Sequence, residues 1–142
     1  MKNPLSRSFS FFIVAMISVL ALSCTFTSTK PKEPTFTVDL DSIAADIRQL
    51  IITERVNVFG VETSKNKKIS TELTARLMNP INLPNDQDKR NEICKQIAQL
   101  LKSRLKYPAG YDTYKVLFVY EKTSGGVTQT NYTGHVYKST EL

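Results

Sequence analysis

The sequence predicts an α+β domain: two amphipathic helices packed on one face of a four- or five-stranded, mostly antiparallel sheet. Two observations carry this. Apolar residues recur at helical spacing in segments 41–54 and 86–106. Segments 56–63, 69–77, 114–121 and 127–138 are β-rich or alternate with period two, and they come in two pairs, each joined by a short turn. The resulting order is α-β-β-α-β-β.

Each element has its own signal. Phe36, Val38 and Leu40 alternate, which reads as a short strand or an extended lead-in. Asp41 and Ser42 offer caps for the first helix, whose inward stripe is Ile43, Ala44, Ile47, Leu50 and Ile51. The turn 64–68 joins a β-rich run to a strand in which Ile69, Thr71, Leu73, Ala75 and Leu77 alternate with polar residues. Pro80 and Pro84 break that strand, and Asn85 or Asp86 can cap the second helix. Its stripe is Ile93, Ile97, Leu100, Leu101 and Leu105, with Asp86, Asp88 and Glu92 at its start and Lys102, Arg104 and Lys106 at its end. That polarity complements the helix dipole. Pro108 and Gly110 stop it. The run Val116-Leu117-Phe118-Val119 is apolar on both faces, as an inner strand would be. Gly125-Gly126 turns the chain into the last strand.

The order is a circular permutation of the split β-α-β-β-α-β (ferredoxin-like) arrangement. The two αββ halves are loosely alike, segment 57–64 resembling segment 115–124.

The N-terminus decides compartment. Lys2 and Arg7 precede an uncharged, largely apolar run over residues 9–23, which ends Leu20-Ala21-Leu22-Ser23-Cys24. The run is short for a bilayer span, which needs about 20 apolar residues, and its order fits a secretory signal. Ser23-Cys24 resembles the cleavage site of bacterial lipoproteins, with Ala21 where leucine is usual. The resemblance covers the first 24 residues. It implies that Cys24 is acylated and becomes the first mature residue, inserting membrane lipid chains. Thr25 after the cysteine implies the outer membrane, and the lack of an acidic residue before Glu33 implies the periplasmic face. The expected organisation is 1–23 signal peptide, 24–35 lipidated cysteine with a flexible Ser/Thr/Pro/Lys-rich tether, and 36–142 a single domain.

Removing residues 1–23 leaves 142 − 23 = 119 residues, enough for one domain with a modest core. Two of the 19 basic residues lie in the signal, so the remainder carries 17 against 13 acids, a net of +4. That mild charge favours anionic surroundings and excludes a dedicated nucleic-acid binder. Of the two cysteines, acylation of Cys24 leaves Cys94 without an intramolecular partner, beside a helix stripe where a thiol behaves as a small hydrophobe.

No catalytic, cofactor or metal site is expected. His135 is the single histidine, and no Gly-x-Ser-x-Gly surrounds a serine. The acid pairs Asp39/Asp41 and Asp86/Asp88 sit at helix starts, where capping explains them. The candidate interaction surface is Tyr107, Tyr111 and Tyr114 after the second helix, the basic turn Lys65, Lys67 and Lys68, and Glu72 and Arg76 on the wet face of the second predicted strand. The tyrosines are equally suited to closing one end of the core.

The function expected is that of a membrane-anchored periplasmic lipoprotein, a non-enzymatic accessory or interaction domain for an envelope protein partner, without nucleic acid. One alternative is an inhibitor or immunity lipoprotein acting against a toxin or lytic enzyme, with segments 65–68 and 79–85 as its blocking loops. The other is a small envelope hydrolase depending on His135.

Overall fold

In the computed structural model residues 27–142 are described; the expected signal peptide and the expected acylation site Cys24 lie outside them. The chain is α+β, with two helices and a five-stranded mixed sheet. The strands are β1 (Thr27–Pro31), β2 (Arg55–Lys65), β3 (Lys68–Met78), β4 (Thr113–Ser124) and β5 (Val127–Lys138). The helices are α1 (Leu40–Leu50) and α2 (Gln87–Arg104). Short 3₁₀ turns occupy Pro108–Gly110 and Ser139–Glu141.

Strands lie in chain order, β1-β2-β3-β4-β5. Three neighbouring pairs are antiparallel, and β3–β4 is parallel. This corrects the ferredoxin-like permutation, which would interleave strands from different halves. Here α2 carries the chain back along the sheet, so β4 starts at the same end as β3 and lies beside it, Glu72 facing Thr113 and Met78 facing Val119. One consequence governs the molecule's layout. The β2–β3 turn precedes β3 and the β4–β5 turn follows β4, so the two hairpin turns project from opposite ends of the sheet.

A second correction concerns the N-terminal segment. Thr27–Pro31 is an edge strand paired antiparallel with Val61–Lys65 of β2, where sequence reading places a tether. All five residues are exposed, so β1 is held by ladder hydrogen bonds and by the Lys30–Glu62 ion pair at 2.9 Å. It buries no apolar stripe, the only signal that periodicity can register. The segment around Phe36 is not a strand. Phe36 makes an isolated bridge with Leu105, and Thr37 N–H donates to the Arg104 carbonyl at 2.8 Å. It closes the C-terminal end of α2.

Both helices start on aspartates. Asp39, two residues before the expected cap, accepts from Ser42 N–H at 2.7 Å. Asp86 accepts from the N–H groups of Asp88 and Lys89 at 2.8 and 3.2 Å. These bonds satisfy donors that a helix leaves open at its first turn.

One core gathers the apolar residues. Ile43 and Ile47 of α1 and Cys94, Ile97, Ala98 and Leu101 of α2 meet Leu73, Ala75 and Leu77 of β3 and Tyr114, Val116 and Phe118 of β4. The register places Leu73 opposite Tyr114, Ala75 opposite Val116 and Leu77 opposite Phe118, so the strand residues share one face. Tyr137, opposite Tyr114, extends that face onto β5. Its hydroxyl donates to the Asn91 carbonyl of α2 at 2.7 Å. Burial pushes the Tyr137 phenol up to about 12 and the Cys94 thiol up to about 11, by disfavouring their charged forms.

Candidate functional site

The alternate residues of the same strands form the sheet's other face. Across it, register aligns two rows. Arg55, Met78, Val119 and Tyr132 stand side by side on β2, β3, β4 and β5. Asn57, Arg76, Leu117 and Gly134 form the next row. Together with Lys115, Glu121 and Thr130, all of these except Gly134 line a trough of about 560 Å³.

The trough has an apolar floor and charged walls. Met78 and Val119 are buried at its base, while Tyr132 stands 75% exposed at its rim. Its lining holds three cations, Arg55, Arg76 and Lys115, against one carboxylate, Glu121. The Arg76 guanidinium lies 4.9 Å from the centre of the Phe59 ring, which orients it without neutralising it. Glu72 approaches Lys115 at 3.9 Å and accepts from the Thr74 hydroxyl at 3.1 Å. The long contact to Lys115 leaves that ammonium able to meet another anion. An apolar base with rim cations and an exposed tyrosine suits an anionic protein surface carrying an apolar side chain.

Gly134 shapes the β5 wall. A Cβ there would stand 2.0 Å from the Val116 carbonyl oxygen of β4. Only glycine permits that approach, and the Leu117 side chain fills the space a side chain at 134 would need, its Cδ2 2.9 Å from where the Cβ would stand.

The structure disperses the residues singled out from sequence. Arg76 lines the trough, and Glu72 lies on the same face. Tyr107 is exposed, but Tyr111 and Tyr114 are buried, which takes them off the candidate surface. Tyr111 donates to the Lys32 carbonyl at 2.9 Å, and Tyr114 to the Pro108 carbonyl at 3.1 Å. Burial raises both phenols above the usual tyrosine value. Lys65, Lys67 and Lys68 crown the β2–β3 turn at the far end of the sheet from Arg55, about 30 Å along the strand.

Arg55, Lys115, Met78, Val119 and Tyr132 were missed from sequence. Only β3 alternates cleanly; the centre of β4 is apolar on both faces, and β5 alternates weakly. Which residues stand abreast depends on register, and a shift of one residue exchanges the faces.

The segment after β3 is fastened down. Asn79 N–H donates to the Val119 carbonyl at 2.7 Å, its side-chain amide to Glu54 at 2.6 Å, and its side-chain oxygen accepts from Glu121 N–H at 2.9 Å. Ile81 N–H donates to the Ile52 carbonyl at 2.9 Å. His135 packs against Tyr137, ring centres 4.6 Å apart. Among the described residues no group of three or more His, Cys, Asp or Glu is placed to hold a metal ion, and no helix is long and apolar enough to cross a membrane.

Comparison with protein-family models, curated proteins and solved structures gave no match.

Proposed function

We propose that this chain is a bacterial envelope lipoprotein, anchored through acylated Cys24 in the outer membrane and facing the periplasm, that serves as a non-enzymatic binding module. Its two helices cover one face of the sheet, and the opposite face docks an anionic envelope protein. The observation that carries this is the trough: Arg55, Arg76 and Lys115 around a floor of Met78 and Val119, with Tyr132 at the rim. Interfaces concentrate aromatic and arginine anchors around a desolvated centre. Recognition by charge and shape needs no reacting group.

The test is crosslinking of intact cells producing the tagged full-length chain, followed by mass spectrometry. One dominant envelope protein is expected with the native sequence, and its loss with Arg76→Glu or Tyr132→Ala. A partner that survives both changes but is lost on altering residues 65–68 or 79–85 would favour the inhibitor reading. No partner above background would sink the binding-module reading.

A further inference from the structure

We infer that the β2–β3 turn is a membrane-seating surface, its lysines pressed onto anionic lipid headgroups beside the anchor. This rests on the proposed acylation of Cys24. Three observations converge on one end of the sheet. Thr27 is the Cα partner of Lys65, so the N-terminal strand begins at the turn. Cys24 lies three positions before Thr27, and three residues reach at most about 11 Å. With Thr27–Pro31 built into the sheet, the eleven-residue spacer 25–35 read from sequence shrinks, before the first strand, to Thr25 and Phe26. The acyl chains therefore enter the bilayer next to Lys65, Lys67 and Lys68.

The turn's chemistry matches that position. Lys65, Asn66, Lys67, Lys68 and Ile69 are all exposed, Ile69 at 60%. Three ammonium groups with a neighbouring exposed isoleucine present both components that an anionic membrane surface rewards. The backbone supplies an independent observation. Asn66 and Lys67 hold φ of 51° and 66°, the left-handed pair of a two-residue hairpin turn, where glycine is favoured at the second place. The β4–β5 turn obeys that preference with Gly125 and Gly126. At Lys67 the chain keeps a charged side chain on a backbone suited to glycine, a cost that headgroup contact would explain. Because the two turns face opposite ways, the β4–β5 turn and the trough are held away from the bilayer, toward the periplasm.

The experiment uses the full-length chain, produced and processed in bacteria and reconstituted into vesicles of phosphatidylglycerol and phosphatidylethanolamine. A photoreactive residue is placed at Ile69 or, as the distal control, at Val127. Incorporation of a palmitate analogue reports acylation in the same preparations, with Cys24→Ser as its blank. Lipid adducts are expected at position 69 and not at 127. Replacing Lys65, Lys67 and Lys68 by glutamine should lower the yield at 69 roughly fivefold per lysine, with raised salt doing the same. Acylated protein with equal adducts at both positions, or with yields indifferent to the lysines, overturns the seating and leaves the anchor standing. Absence of the palmitate label from the native sequence overturns both.

Discussion

The Tyr111 hydroxyl donates to the Lys32 carbonyl at 2.9 Å, crossing Gly60 so closely that a Cβ there would lie 2.6 Å from the hydroxyl oxygen. Lys32 returns the contact, its ammonium donating to the Gly110 carbonyl at 2.6 Å and its N–H to the Gly60 carbonyl at 2.9 Å. This latch joins the end of β1 to β2 and to the loop before β4. It is where a segment without apolar residues becomes part of the fold.

Gly60→Ala should therefore cost about 1–3 kcal/mol, because the methyl meets backbone and a buried ring that cannot move aside. Tyr111→Phe should cost about 1 kcal/mol, the worth of one hydrogen bond. Urea unfolding measures both, and hydrogen exchange should show β1 amides losing protection first. A neutral Gly60→Ala would mean that the latch is loose.

Leu101→Ala should cost about 2–5 kcal/mol. Leu101 is fully buried between the helices and the sheet, and its removal leaves a cavity in a core built from both. An unchanged urea midpoint would show that α2 does not bear on the core through this residue.

Alkaline pH should destabilise the domain from about pH 9 upward. The Cys94 thiol rises from 9.0 unfolded to about 11 folded, and the Tyr137 phenol from 10.0 to about 12. The folded state holds both protons more tightly. Their contribution is intact below the unfolded values and is lost as pH climbs through the folded ones. Cys94→Ala should flatten the first part of this fall in urea titrations, whatever it does to stability at neutral pH. Thiol reagents should modify Cys94 only at the rate of opening.

Tyr132→Ala should leave stability within about 0.5 kcal/mol, since the residue is exposed on an edge strand, while removing the envelope partner from crosslinked cells. Stability and binding then separate. A large stability loss together with lost binding would make the tyrosine structural.

Lys67→Gly should raise stability by about 1 kcal/mol, by relieving a left-handed lysine. If the thermal midpoint falls instead, the lysine side chain supports the hairpin itself.

Much of the fold was legible in advance. The two helices and the four long strands sit within a few residues of their expected bounds: Ile43, Ile47 and Ile51 recur at helical spacing, Leu73, Ala75 and Leu77 at spacing two, β4 is a continuous apolar run, and Gly125-Gly126 marks where β5 begins. The site was less legible. Arg76 was found because its strand alternates cleanly, whereas Tyr132 lies in a strand of threonine, asparagine and glutamine with no apolar face to give it a side.

By itself, then, the chain's sequence determined the class, the helices, the hairpins and their turns, since these follow from local propensity and from periodicity that any window of residues displays. Tertiary structure decided the rest. It laid β4 parallel to β3, sent the two turns to opposite ends, drew Thr27–Pro31 into the sheet and stood Arg55, Met78, Val119 and Tyr132 abreast. Each of these depends on hydrogen bonds or register between residues distant in the chain, and no local pattern encodes which strand a backbone donor will find.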